Sequence, residues 1–176
     1  MSGPERHDLR TADRQFTGET IARGEPVPAG RFRVIVHIAL FNARGDMLIQ
    51  RRCQSREAWP GYWDLSAGGS AVAGETSARA ARRELMEELG LKGVEEEAVP
   101  DLSLHFSGGF DDIYIVRSEV DPAALRLQPT EVAEARWADR DEVRSMLREG
   151  AFIPYRPELI DLLFALARSP GNGGRA

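Results

Sequence analysis

The chain predicts an α/β fold, a mixed sheet flanked by helices. Two observations carry this: apolar runs bounded by turn residues, and helical apolar periodicity in three other segments. Arg33 to Phe41 (RVIVHIALF) is apolar and β-branched, as expected of a strand buried on both faces. Asn42-Ala43-Arg44-Gly45-Asp46 reads as a turn, and Met47 to Arg52 as the returning strand of a hairpin. Gln54 to Gly61 is a polar loop, and Trp63 to Ala67 a short strand leading into Gly68-Gly69. A helix is expected from Glu75 or Thr76, stopped by Gly90, with Ala78, Ala81, Leu85 and Leu89 as its core-facing stripe. Leu102 to Phe106 and Asp112 to Val116 read as strands joined through Gly108-Gly109, and Val132 to Trp137 as another. Asp139 to Arg148 predicts an amphipathic helix, with Asp139 as N-cap and Glu142 three residues on; Pro157 to Ala167 predicts the last. The expected organisation is a loosely ordered arm over 1–30 with a short hairpin around Arg14 to Ile21, one domain over 31–168, and a disordered tail over 169–176 (SPGNGGRA).

Bulk properties narrow the function. With 176 residues, 42% apolar and 29% charged, the chain suits one soluble domain with a core of ordinary size. A net charge of −5 supplies no basic field for a nucleic-acid polymer or an anionic membrane. A single cysteine, Cys53, excludes an internal disulfide and a cysteine-based zinc site. No apolar run approaches the roughly 20 residues of a membrane span, and MSGPERHDLR lacks a signal-peptide core, so a cytoplasmic location is expected.

The most informative stretch is residues 69–91, GSAVAGETSARAARRELMEELGL. It places Gly69, then five residues, Glu75, then seven, then Arg83-Glu84-Leu85-x-Glu87-Glu88-x-Gly90-Leu91. A helix turns about 100° per residue, so Glu84, Glu87 and Glu88 project from one stripe within roughly 60° of one another. The apolar stripe is centred about 110° away, leaving one flank to pack and its neighbour to face a cleft. Like charges that close destabilise a helix unless a cation sits among them. An all-oxygen cluster suits a hard divalent cation, Mg²⁺ or alternatively Mn²⁺, bridging to substrate phosphates.

This spacing matches the Nudix box, G-x5-E-x7-R-E-U-x-E-E-x-G-U with U aliphatic, at every specified position. The chain therefore resembles the Nudix hydrolases, most strongly over about residues 32–140. The resemblance implies an α/β/α sandwich and metal ligation by Glu84, Glu87 and Glu88, with the backbone carbonyl of Gly69 as a further ligand. Arg83 can brace the glutamates while the site is empty. Glu75 can cap the helix or pair with Arg83. For the general base the first candidate is Glu88, then Glu87; Glu131 and Glu134, before the strand ending at Trp137, are the alternatives outside the box. Arg51, Arg52 and Arg56 are candidates for holding substrate phosphates, or else charges that protect a sheet edge. Trp59, Tyr62 and Trp63 can stack a base or fill the core, whereas His37 reads as a core residue and Cys53 as an unremarkable thiol.

The stretch VHIALFNARGDMLIQRR…PGYWDLSAGGSAVAGE further resembles the Nudix branch that includes type I isopentenyl-diphosphate isomerase. That enzyme needs a cysteine and a metal-binding histidine where this chain has Ala67 and Gly69. Many nucleotide-directed relatives carry Pro-Gly-Gly where Ala67-Gly68-Gly69 stands here. The expected activity is Mg²⁺-dependent cleavage of a nucleoside-diphosphate-linked or other small-molecule diphosphate. Isomerase activity and a catalytically silent nucleotide-binding domain are the alternatives, and a homodimer is expected by analogy.

Overall fold

The computed structural model describes residues 4–168. The tail expected to be disordered, 169–176, lies outside the described residues. The chain forms an α/β fold in which β3 (Arg33–Phe41) and β8 (Gly109–Arg117) are neighbours in the sheet. They run parallel, since Arg33 N–H meets the Gly108 carbonyl near their starts and Ser118 N–H the Phe41 carbonyl near their ends. The other registered pairs are antiparallel, so the sheet is mixed. The fold divides into two compact units, one holding the chain to His37 with Gly68–Glu84 and Val94–Tyr114, the other Ile38–Ala67, Leu85–Gly93 and the chain from Ile115.

In the first unit, β1 (Arg6–Arg10) and β2 (Phe16–Ala22) form an antiparallel hairpin, pairing His7 with Ile21 and Asp8 with Thr20. A short hairpin was expected around Arg14 to Ile21 in an otherwise loose arm; the hairpin observed is longer and reaches back to Arg6. His7, Leu9 and Ile21 are buried, so strands with polar sequences are held by a few inward side chains rather than by a continuous apolar pattern. The hairpin also grips the loop before the box helix: Ala73 N–H donates to Arg6 O at 2.8 Å, and Gly74 N–H to Asp8 Oδ2 at 2.7 Å. His7 Nδ1 lies 3.0 Å from Ala71 O. At the turn, Arg14 adopts φ 67° and sends its guanidinium onto buried Asp112. β7 (Leu102–Phe106) pairs with β8 around a tight turn, Phe106 opposite Gly109. The expected strand from Asp112 thus begins three residues earlier.

In the second unit, β4 (Met47–Arg52) pairs with the end of β3, with β5 (Trp63–Asp64) and with β9 (Val132–Ala138). The single strand expected over Trp63 to Ala67 is instead two, β5 and β6 (Ala67–Ser70). Between them buried Ser66 accepts from Leu40 N–H at 2.8 Å and donates to Leu48 O at 2.5 Å, substituting side-chain for ladder bonds. α2 (Arg140–Glu149) starts as expected, with Asp139 as N-cap accepting from Glu142 N–H, and α3 (Pro157–Arg168) packs Phe164 edge-on to Phe41 at 5.1 Å.

The box helix is α1 (Ser77–Leu89). Thr76 Oγ1 accepts from Arg79 N–H at 3.2 Å, and Gly90 follows with φ 71°, the left-handed residue expected after its C-terminus. All four expected core positions, Ala78, Ala81, Leu85 and Leu89, are buried.

Candidate active site

Arg83 organises the start of the site. Its Nε donates to Glu75 Oε1 at 2.9 Å and its Nη2 to Glu75 Oε2 at 3.0 Å, a two-pronged grip on one carboxylate. Nη1 donates to Glu84 Oε1 at 2.8 Å, and Nη2 also to Ser70 O at 3.0 Å, at the end of β6 where the loop to the helix begins. Glu75 Oε2 additionally accepts from Val72 N–H at 3.0 Å, closing that loop. Of the two roles left open for Glu75, pairing with Arg83 is therefore the one realised. Burial pushes the Glu75 carboxyl up, but the hydrogen bonds from Arg83 and the Val72 amide outweigh it and hold the group below the ordinary carboxylate range. The Glu75 hydrogen bond, opposed by burial, pushes Arg83 upward, with Glu84 adding to the shift.

The box glycine is explained by contact. A Cβ built on Gly69 would stand 2.1 Å from Glu84 Oε1 and 2.3 Å from its Cδ, so only glycine admits that carboxylate against the backbone. Gly68 is equally constrained, its Cβ falling 2.5 Å from His37 Cδ2 and 2.9 Å from Val36 O. His37 was read as a core residue; its ring is half-buried instead, and Nδ1 lies 2.7 Å from Asp111 Oδ1.

Farther along α1, Glu88 is 2% exposed and its Oε2 accepts from Gln50 Nε2 at 2.8 Å. Gln50 is also 2% exposed, and its Oε1 is a buried acceptor with no hydrogen-bond partner. Such an atom is costly unless a water or ion completes it. The sequence reading missed Gln50; the signal was a lone amide at the end of the apolar run MLIQ.

Among the described residues, no three His, Cys, Asp or Glu side chains are gathered as metal ligands. Glu84 faces Arg83 and Glu88 faces Gln50, an arrangement that relieves repulsion along the acidic stripe. The donor chemistry still fits a hard cation: carboxylates on one helix stripe, a glycine against one of them, and an unsatisfied acceptor beside another.

The remaining candidates lie in the second unit. Arg51 pairs with Glu134 at 3.1 Å, Arg56 pairs with Glu131, and Arg52 reaches Asp64 at 3.4 Å and Ala58 O at 3.0 Å. All three arginines already hold acceptors, and Glu131 could act as a base only by releasing Arg56. Trp63 lies beneath two guanidiniums, Arg136 at 4.7 Å and Arg51 at 5.9 Å, and Trp59 meets Tyr62 edge-on at 5.3 Å. Cys53 Sγ donates to Pro129 O. No helix among the described residues is long and apolar enough to cross a membrane.

Comparisons with known proteins identify the family. The NUDIX domain family model matches residues 31–160. A Nudix hydrolase of Listeria monocytogenes is 43% identical over 151 residues, spanning 86% of this chain and 89% of that one. An isopentenyl-diphosphate Delta-isomerase of Shigella flexneri is 35% identical, over 62% of this chain and 65% of its own. Among solved structures, one from Deinococcus radiodurans superposes with a TM-score of 0.72 at 26% identity, covering 93% of this chain and all (100%) of that one. A MutT protein from Methanosarcina mazei shares the fold at a TM-score of 0.58 and 19% identity, over 78% and 96% of the two chains. With the box arginine locked onto Glu75 and Glu84, and its glycine seated against the same carboxylate, the chain belongs to the Nudix family and is one of its hydrolases.

Proposed function

We propose that the chain hydrolyses the phosphoanhydride bond of a small diphosphate, foremost a nucleoside-diphosphate-linked compound, with Mg²⁺ or alternatively Mn²⁺. The carrying observation is the close seat of Glu84 between Gly69 and Arg83, a position that no other residue type at 69 would allow. Glu84, Glu87, Glu88 and the Gly69 carbonyl would hold the cation. When bound it offsets charge developing on the phosphate oxygens and makes water easier to deprotonate. Arg83 holds Glu84 and, through Ser70 O, the end of strand β6 that carries Gly69, so both donors start in place. Gln50 fixes one oxygen of Glu88, which is the first candidate for accepting the water proton. Glu87 is the next candidate, and Glu131 the one outside the box.

Isomerase chemistry is disfavoured: Ala67 and Gly69 offer neither thiol nor imidazole, and Cys53 is turned to Pro129 O. The deciding experiment follows a panel of diphosphates with Mg²⁺ by phosphorus NMR. Cleavage products support the reading. A shifted double bond in isopentenyl diphosphate, or binding without turnover, would replace it. Glu88→Gln should cost at least the roughly 10²-fold typical of losing a general base, whereas an equal loss in Glu131→Gln alone would move that role out of the box.

A further inference from the structure

We propose that a cavity beside the box is the recognition pocket for a planar, polar ring, such as a nucleobase, carried on the diphosphate; this rests on the hydrolase reading above. The cavity, of about 580 Å³, lies wholly within the first unit and is walled by residues 24–33 and 105–108. Its size suits a small molecule, since ligand pockets span about 300–1,000 Å³.

Three features select the ligand. First, Phe32, His105 and Phe110 form a ring cluster with centroids 5.0–5.4 Å apart, in which Phe110 is buried and His105 is exposed. An exposed aromatic face backed by one half-buried and one buried ring is a stacking platform that any base can use. Second, Glu25, Arg31, Arg33 and His105 line the space, and desolvating them against an apolar prenyl chain would be costly. Third, Arg33 connects the cavity to the box: its Nη1 lies 3.5 Å from Ser70 Oγ, and Ser70 O in turn accepts from Arg83. A ring on the platform would thus place its phosphates toward Arg33 and the box loop.

The walls are formed in advance. Arg33 N–H donates to Gly108 O and Arg31 N–H to Pro28 O, both at 3.0 Å, while Arg31 is held by Glu19 at 2.6 Å. Pro26 and Pro28 stiffen the segment, so little ordering cost remains for binding. The Arg31–Glu19 pair is solvent-facing and is assigned a positional role only.

The test compares turnover of nucleoside diphosphate sugars bearing the four common bases with that of isopentenyl diphosphate, which has no ring, in wild type, His105→Ala and Arg33→Gln. The preference for the best ring-bearing substrate, as a ratio of kcat/KM values, should fall at least fivefold in His105→Ala, about the lower bound for losing one base–aromatic stack, whereas Arg33→Gln, on the phosphate side, should lower kcat/KM for both substrates alike. A ratio unchanged within twofold in His105→Ala, or a wild type that cleaves only isopentenyl diphosphate, overturns the pocket while leaving the hydrolase reading intact. A second measurement does not depend on turnover: nucleoside monophosphates titrated into the full chain should shift the His105 ring resonances in proton–nitrogen NMR. Shifted resonances without cleavage of any diphosphate would retain the pocket and remove the hydrolase reading; unmoved resonances with all four monophosphates would remove the pocket.

Discussion

Gly69→Ala separates fold stability from site geometry more cleanly than any other single change. The new methyl would stand 2.1 Å from Glu84 Oε1, and ordinary contact begins at 3.4 Å, so the carboxylate must withdraw by 3.4 − 2.1 = 1.3 Å. Gly69 has no left-handed φ, so the backbone accepts alanine without strain. The obstructed group is the end of a flexible side chain, and its withdrawal sacrifices the 2.8 Å bond from Arg83. A charge-assisted bond contributes about 1.5–3 kcal/mol, and partial exposure of this pair reduces that to about 1 kcal/mol. The expected fall in Tm for a chain of this size is therefore about 2–4 °C. Catalysis should suffer far more, since a displacement of about 1 Å in a positioned group can cost on the order of 10²-fold. Scanning calorimetry and kcat/KM at saturating Mg²⁺ provide the comparison. An alanine variant within threefold of wild-type activity would mean that the seat of Glu84 against Gly69 does not matter to the reaction.

Other substitutions probe the supporting contacts. Gly68→Ala meets His37 Cδ2 at 2.5 Å and the Val36 carbonyl at 2.9 Å; because backbone cannot yield like a side-chain tip, denaturant unfolding should show a loss of about 1–3 kcal/mol. Gln50→Leu removes the donor to Glu88 and the orphaned Oε1 together, so unfolding should change by less than about 1.5 kcal/mol while kcat falls at least tenfold; unchanged kcat would dismiss Gln50 as a positioning residue. Arg14→Ala leaves Asp112, which is 0% exposed, without its guanidinium partner, at a cost of about 3–5 kcal/mol in urea unfolding. In the wild type, burial pushes the Asp112 carboxyl up, but the bonds from Arg14, Ser77 and Ser103 win and hold it below its usual range. A depressed folded-state value means stability present above the unfolded value of about 4 and lost as pH falls through the folded value. That acid-side loss should shrink or invert in Arg14→Ala, and an unaltered slope of stability against pH below about 5 would contradict the network.

The site was legible where chemistry lies within one element, and illegible where a partner comes from elsewhere in the chain. The spacing from Gly69 to Leu91 placed α1, its buried stripe and its carboxylates, because helical geometry converts sequence offsets into faces. The same reasoning identified the Asp139 cap, whose partner is three residues away. Gln50 meets Glu88 across 38 residues, and His37 meets Asp111 across 74, distances over which no periodicity operates. The hairpin was expected only around Arg14 to Ile21, and its first strand was missed because Arg6–Arg10 is mostly polar; the buried inward residues His7 and Leu9 are too few to register as a pattern. Arg51, Arg52 and Arg56 looked available for phosphate because Glu134, Asp64 and Glu131 become their partners only after folding.

Arg83 and Gln50 then acquire a common rationale. A stripe of carboxylates must be tolerable before any cation arrives, and a lasting ion pair at every glutamate would make metal entry slow and costly. Arg83 divides its donors among Glu75, Glu84 and Ser70 O, so releasing Glu84 leaves the guanidinium held on two sides by Glu75 and the strand carbonyl. Burial opposes the charge on Glu75, but the hydrogen bonds from Arg83 and the Val72 amide hold its carboxyl below the ordinary carboxylate range, which keeps that anchor charged. Gln50 brings no charge to Glu88 and therefore competes weakly with a divalent ion for it. On the proposed reading, Arg83 would thus stay anchored on Glu75 while Glu84 turned to a cation, and Glu88 would exchange a neutral amide partner rather than a charged one.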